Sequence, residues 1–260
     1  MAAPILNQRD LDFMLYELFD VEAMIERERY ADHSRETFSA AITTAKAVAE
    51  KHFLPIRSKV DTNEPTFDGK KVTMLPEIKP ALDAVVEAGL LSPAADYEMG
   101  GMQLPLIVAN AASAYLAATA STTTGYLSLT NANCNLIEAH GTPEQIEKWV
   151  APMREGRFYG TMAMTEPSAG SGLADLTTTA TPTEDGNYLV SGNKIFISGG
   201  DHDLSENIIH LVLARVKGAP KGIKGVSLFI VPKFLVNEDG SVGEHNDVNL
   251  AGLFHKMGGR

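Results

Sequence analysis

The chain has 260 residues, 44% of them hydrophobic, which is enough apolar material for one large buried core or two ordinary ones. Its 22 basic and 33 acidic side chains give a formal charge of −11, the wrong sign for gripping a phosphate backbone, so nucleic acid is not an expected partner. No run reaches the roughly 18 apolar residues of a membrane-spanning helix, and Asp and Glu enter the N-terminus before any signal peptide or Arg-rich, acid-poor transit sequence can form.

In chain order, the first strong periodicity follows Ser34: Phe38, Ile42, Ala45, Val48 and Ala49 recur at helical spacing and predict one buried face. Residues 58–72, rich in charge with Pro and Gly, read as an exposed connection. A second helix opens near Pro76, carries Ile78, Leu82, Val85 and Val86, and stops at Gly89, where positive φ costs little. A third covers Leu104 to Ala118 and a fourth Ser121 to Ala139. The best marked start comes next: Thr142 as N-cap, Pro143 at the first helical position and Gln145 reaching back form a capping box before Ile146 and Trp149. Cys134, the single cysteine, has no partner for an internal disulfide, which suits a reducing compartment and an expected cytoplasmic location.

Beyond Gly156 the periodicity changes. Tyr188–Ser198, Ile208–Val216 and Val226–Val231 are β-branched and aromatic runs and predict strands. Glu184-Asp185-Gly186-Asn187 and Val190-Ser191-Gly192-Asn193 carry the Gly and Asn of tight reversals. Short loops in place of helical crossovers point to an antiparallel sheet or barrel. The fold class expected is therefore α+β: an all-α helical bundle over 1–155 followed by a β domain over 156–260.

Three blocks carry a resemblance. Met162-Ala163-Met164-Thr165-Glu166-Pro167-Ser168-Ala169-Gly170-Ser171 resembles the TEP-x-AGS signature of the acyl-CoA dehydrogenase family. Gly192-Asn193-Lys194-Ile195-Phe196-Ile197-Ser198-Gly199 is similar to its GxKxWIT segment, and Lys256-Met257-Gly258-Gly259-Arg260 to its KMGxR segment. All three fall in the family's order. The stretch from Ile197 to Arg215 and then Val231 to Ser241 is nearer still to the subgroup that includes methylthiopropionyl-CoA dehydrogenase and long bacterial fatty acyl-CoA dehydrogenases.

The resemblance implies the family's N-terminal and middle domains, FAD as cofactor, an acyl-CoA substrate undergoing α,β-desaturation, an electron-transfer flavoprotein as electron acceptor, and a homo-oligomer at full length. It assigns Met162, Met164 and Thr165 to the pyrimidine edge of the flavin, Gly170 and Ser171 to its pyrophosphate, with Ser171 also near the CoA portion, Phe196 to one ring face, and Ile197 and Ser198 to the N5/O4 edge. Bottom-up chemistry agrees with the assignment. Gly170 permits close backbone approach, and successive N–H groups from Ala169 to Gly172 can form an anion-holding concavity. Phe196 stands where relatives have Trp, a smaller stacking surface; Gly172 stands where many have Asp. Leu127, Thr130 and Asn131 are candidates for lining an acyl pocket. The family's catalytic base is a glutamate in a following helical domain expected beyond residue 260, so no catalytic residue is assigned here, and Glu166 is read as a structural partner for a backbone or basic group. The implied consequences are a chain that turns over no acyl-CoA and binds FAD weakly or not at all. An acyl-CoA oxidase, or a non-catalytic binding or assembly module of the same superfamily, is the alternative. Asp201-His202-Asp203 lacks a second ligand pair and reads as a solvated loop, so no metal is expected.

Overall fold

Side-chain caps set three of the helix starts. In the computed structural model, which describes residues 5–256, Asn7 accepts from the Arg9 N–H to open α1 (Gln8–Asp12). Ser34 and Thr37 exchange capping bonds at the start of α2 (Arg35–Val48). Helix α2 buries Phe38, Ala41, Ile42, Ala45 and Val48 on one face. Residues 58–72 are not a plain connection: they contain most of α3 (Arg57–Thr62) and a hairpin of β1 (Thr66–Phe67) with β2 (Val72–Thr73). Helix α4 (Ile78–Glu87) buries Ile78, Ala81, Leu82 and Val85, and the chain turns away at Gly89 with φ +70.

The third and fourth predicted helices are one element, α5 (Leu106–His140), interrupted by a single non-helical residue, Ala120. Hydroxyls explain the kink. Thr119 donates to the carbonyls of Tyr115 and Leu116, and Thr124 to those of Ala120 and Ser121, back-bonds that bend a helix without ending it. The capping box of Thr142 and Gln145 is present at α6 (Pro143–Gln145), which runs through a π-turn, Ile146–Val150, into α7 (Ala151–Arg154). Pro152 has no N–H to give the preceding turn, which is where the helix widens.

Strands begin immediately afterwards: β3 (Phe158–Ala163), β4 (Thr179–Pro182), β5 (Tyr188–Ser191), β6 (Asn207–Val216) and β7 (Val226–Pro232) form one sheet, and β8 (Phe234–Val236) pairs with β9 (Val242–His245). The sheet is mixed, which corrects the antiparallel expectation. Strand β6 runs parallel to β3 over its first residues and parallel to β4 at Arg215 and Val216, and antiparallel to β7 along most of its length. Hairpin signals report only consecutive pairs, and β3 meets β6 across the long 164–206 connection. The predicted reversal at 184–187 does join β4 to β5, with Gly186 at φ +82. The second, at 190–193, makes no hairpin. The predicted strand over 188–198 ends at Ser191, and the remainder leaves the sheet.

Helical and β halves share a core. Cys134 and Ile137 of α5, Val150 and Met153 pack with Phe158, Ile209 and Leu211, and burial pushes the Cys134 thiol up to about 12. Asn133 Nδ2 donates to Thr161 O at 3.1 Å and Ile209 O at 3.0 Å, tying α5 to two strands. The approach requires a glycine: a Cβ at Gly160 would stand 2.4 Å from Asn133 Nδ2. Substituting Asn133→Ala strips both carbonyls of a buried donor and is expected to lower unfolding free energy by about 1–3 kcal/mol, read as a fall in the urea midpoint, whereas Asn110→Ala on the exposed side of the same helix leaves it in place.

Candidate functional site

Pro167 and Ser168 form the tip of a tight loop closed by reciprocal backbone bonds between Glu166 and Ala169, at 2.8 and 3.2 Å. Glu166 points inward and is 2% exposed. Its Oε2 accepts from the Thr177 N–H at 2.6 Å and the Thr177 hydroxyl at 2.7 Å; its Oε1 accepts from the Thr178 N–H at 3.0 Å and from Lys194 Nζ at 2.8 Å. Burial alone would raise this carboxyl, but the bonds from Lys194, Thr178 and Thr177 outweigh it and hold the group well below the usual carboxylate range. Glu166 is thus the structural partner expected of it, to backbone and base at once.

Lys194 does more than neutralise. Its Nζ also donates to Met164 O at 3.1 Å, and the next N–H, that of Ile195, donates to Thr165 O at 2.9 Å. The 162–171 and 194–198 segments are therefore laced together along Met164, Thr165 and Glu166, although neither end of the lacing lies in the sheet. Gly192 makes this path possible, because a Cβ there would stand 2.2 Å from Thr178 Oγ1. Phe196 then takes φ +58, unusual for an aromatic residue, and leaves its ring 57% exposed. The ring rests on Phe254, centroids 4.8 Å apart.

Beside this junction lies an open cleft of about 2760 Å³ whose walls include Tyr126 and Leu129 of α5, Ala163, Lys194 to Ser198, His210, Phe229 and the extended 246–256 segment. Phe196, Ile197 and Ser198 face it. Met164, Thr165, Gly170 and Ser171 lie on the adjoining surface and do not wall the cleft itself, while the side chain of Met162 packs into the core shared with α5. Leu127, Thr130 and Asn131 turn away from the cleft. Leu127 joins the helical core, Thr130 Oγ1 accepts from Gly160 N at 3.0 Å, and Asn131 accepts from Ser92 and Arg154. Thr122, Gly125, Tyr126 and Leu129 of α5 form the wall. The resemblance pointed to this helix, and its residues at the cleft are neighbours of the three expected ones.

The polar groups near the junction test whether a flavin fits. Among the described residues none engages the hydroxyls of Thr165, Ser171 or Ser198, nor accepts from the N–H groups of Gly170, Ser171 and Gly172. These donors lie on the two segments that are bonded together, one of which carries an exposed aromatic ring, and they are of the kind a ring edge and a diphosphate require. Where relatives carry Asp, Gly172 leaves room that Asp175 approaches, its Oδ2 lying 3.5 Å from the position of a Cβ at 172. Met257–Arg260 of the KMGxR block lie outside the described residues.

Asp201-His202-Asp203 is not the solvated loop expected. Asp201 pairs with Lys233, Asp203 accepts from Met74 N at 3.2 Å, and His202 is 5% exposed against the rings of Tyr126 and Tyr159. His210, also 5% exposed, meets Thr161 Oγ1 through Nδ1 at 2.7 Å, while its Nε2 is buried without a partner. Burial first, then Lys233 and His210, depress His202 to about 3; burial outweighs the opposing pull of Asp201 and, with a smaller push from Lys233, depresses His210 to about 4. Among the described residues no group of three or more His, Cys, Asp or Glu gathers as metal ligands. Sequence reasoning gave no role to Lys194, Thr177, Thr178 or His210. Lys194 was visible inside the GxK block and His210 as the one polar break in an apolar strand; the two threonines carried no signal.

Two pH dependences follow. Glu166 has a folded pKa below its unfolded one, so its contribution is present above the ordinary carboxylate range and is lost as pH falls through that range toward the folded value. Glu166→Gln is expected to cost about 3 kcal/mol at pH 7, and the urea midpoints of variant and parent should begin to approach each other only below about pH 4 and go on converging as the pH falls toward the folded value. The two histidines act at milder pH. Their folded pKa values of about 3 and about 4 lie below the ordinary 6.5, so the unfolded chain takes up protons that the folded chain refuses. Stability should fall by about 2 kcal/mol per histidine from pH 7 to 5, and His202→Phe should flatten that slope in the same urea series.

Comparison with known proteins now bears on this geometry. Residues 35–157 match the family described as acyl-CoA dehydrogenase, N-terminal domain, and residues 161–252 that described as acyl-CoA dehydrogenase, middle domain. The 3-methylmercaptopropionyl-CoA dehydrogenase of Ruegeria pomeroyi is 36% identical over 253 residues, covering 97% of this chain and 43% of the relative. A solved chain from the electron transferring flavoprotein of Acidaminococcus fermentans superposes with a TM-score of 0.63 at 28% identity, over 78% of this chain and 49% of that one. The acyl-CoA dehydrogenase of Bacillus anthracis complexed with FAD shares the fold, with a TM-score of 0.59 at 24% identity over 78% of this chain and 31% of that one. The chain spans less than half the length of the Ruegeria relative. With both domain families matched in order over most of its residues, and the TEP-x-AGS and GxK blocks laced together in space, the chain belongs to the acyl-CoA dehydrogenase family and carries its N-terminal and middle domains.

Proposed function

We propose that this chain forms the flavin-cradling part of an FAD-dependent acyl-CoA dehydrogenase, with 1–155 as its helical domain and 156–260 as its β domain. The reaction proposed for the whole protein is α,β-desaturation of an acyl-CoA thioester, with electrons passed on to an electron-transfer flavoprotein and the protein working as a cytoplasmic homo-oligomer. One observation carries the reading: the hydroxyls of Thr165, Ser171 and Ser198 and the N–H groups of Gly170 to Gly172, none with a described partner, lie on two segments bonded to each other, one of which carries the exposed ring of Phe196.

When bound, FAD supplies the acceptor for the substrate's β-hydride. The rest is work for the chain's own groups. Thr165 and Ser198 orient the polar ring edges, Phe196 covers one face and sheds water from it, and Ser171 with the adjoining N–H groups holds the diphosphate. Tyr126 and Leu129, on the cleft side of α5, offer an apolar wall for the acyl chain. Glu166 has both oxygens engaged, so it is no base for the α-proton. The proposal assigns that base to a carboxylate outside these residues.

The test uses the 260-residue chain. Titration with FAD is expected to give weak, saturable quenching of flavin fluorescence, with the flavin lost on gel filtration. Ser171→Ala and Thr165→Val should each weaken binding about five-fold, the worth of one neutral hydrogen bond, and Phe196→Ala should do so more. Octanoyl-CoA should reduce no dye. Unchanged binding in all three variants, or steady dye reduction, would contradict the reading.

A further inference from the structure

Lys194 reaches from one signature segment to the other, where it holds a buried carboxylate and a backbone carbonyl. Its ammonium lies within 2.8 Å of Glu166 Oε1 and 3.1 Å of Met164 O, while the following N–H closes on Thr165 O at 2.9 Å. Three consecutive residues of one segment are thereby fixed from two consecutive residues of the other. The ammonium is 11% exposed and the carboxylate 1%, so water competes little for either. Thr165 has no other described partner for its hydroxyl, and its main chain is bracketed by the two positions that Lys194 binds.

We propose that Lys194 is a positioning residue for the cofactor: it sets the backbone at Met164 and Thr165 so that the Thr165 hydroxyl and the Met164 main chain present one fixed edge to the flavin ring. This rests on the FAD reading above. Lys194 itself touches no ligand in this account. A mere anchor for stability would act on the whole chain; a positioning residue acts through Thr165. A long apolar substitute keeps the buried volume of the stem but offers neither bond, so Met164 and Thr165 lose their register while the fold's cores, which lie elsewhere, are kept.

The difference is measurable as coupling in FAD affinity. In fluorescence titrations of Lys194→Met, Thr165→Val and Ser171→Ala, singly and in pairs, Lys194→Met is expected to weaken FAD binding about ten-fold. Adding Thr165→Val to Lys194→Met should cost little further, since a misplaced hydroxyl has nothing left to lose. Adding Ser171→Ala should multiply through in full, because Ser171 lies beyond the closed 166–169 loop. Effects that multiply through for both pairs overturn the positioning role and leave a purely structural ion pair. If Lys194→Met does not fold, Glu166→Gln breaks the same brace from the other end and must show the same coupling to Thr165, and its absence overturns the proposal. Failure of the unmodified chain to bind FAD removes the functional reading and this one with it, whereas binding with no coupling removes this one alone.

Discussion

The buried contact between Glu166 and Lys194 is the constraint on which the site depends. Burying two charges is costly, and a well-packed apolar pair in the same place often serves stability as well. What an apolar pair cannot do is fix register. Here the carboxylate also gathers the N–H groups of Thr177 and Thr178, and the ammonium also holds a carbonyl, so three stretches of chain that belong to no common strand meet at one point. The sheet provides a platform; this polar knot decides how two irregular segments lie upon it.

That arrangement follows from where the chain is allowed to leave regular structure. Strand β3 delivers the chain to Met164, β5 delivers it to Gly192, and the two glycine-dependent close approaches, Gly160 on Asn133 and Gly192 on Thr178, let helix and loop come down onto the sheet. Because α5, α7 and the sheet share buried residues, the helical half is one wall of the cleft rather than a neighbour to it. The strained backbone at Phe196 sits at the end of this path, where the surrounding bonds over-determine it.

Much of this was legible in the residues. Capping at Thr142, the stop at Gly89 and the buried face of Phe38, Ile42 and Ala45 are local signals, and the structure has each of them. Signals failed where partners are distant in sequence. The parallel pairing of β3 with β6 leaves no mark on either strand, and Tyr188–Ser198 looks like one strand because β-branched and aromatic composition does not register the positive φ of Phe196. At the site, the two signature blocks were recognisable, and the backbone and basic partners expected of Glu166 are present. Leu127, Thr130 and Asn131 were named because the resemblance places this helix beside an acyl pocket, and a resemblance of motifs does not say which residues of a helix rich in small and hydroxyl side chains meet the cleft. The loop of Asp201 to Asp203 was read as solvated for want of a second ligand pair, whereas its carboxylates are paired with Lys233 and Lys71 and the His202 ring is packed between two tyrosines.

The central claim is that two segments laced by Glu166 and Lys194 act as one surface toward one ligand. Hydrogen–deuterium exchange on the 260-residue chain, with and without saturating FAD, addresses it most directly, since each segment contains its own reporting amides. The account predicts that 164–172 and 194–200 gain protection together and over the same range of FAD concentration. Protection of one segment without the other, or of neither while some other surface slows, would contradict it.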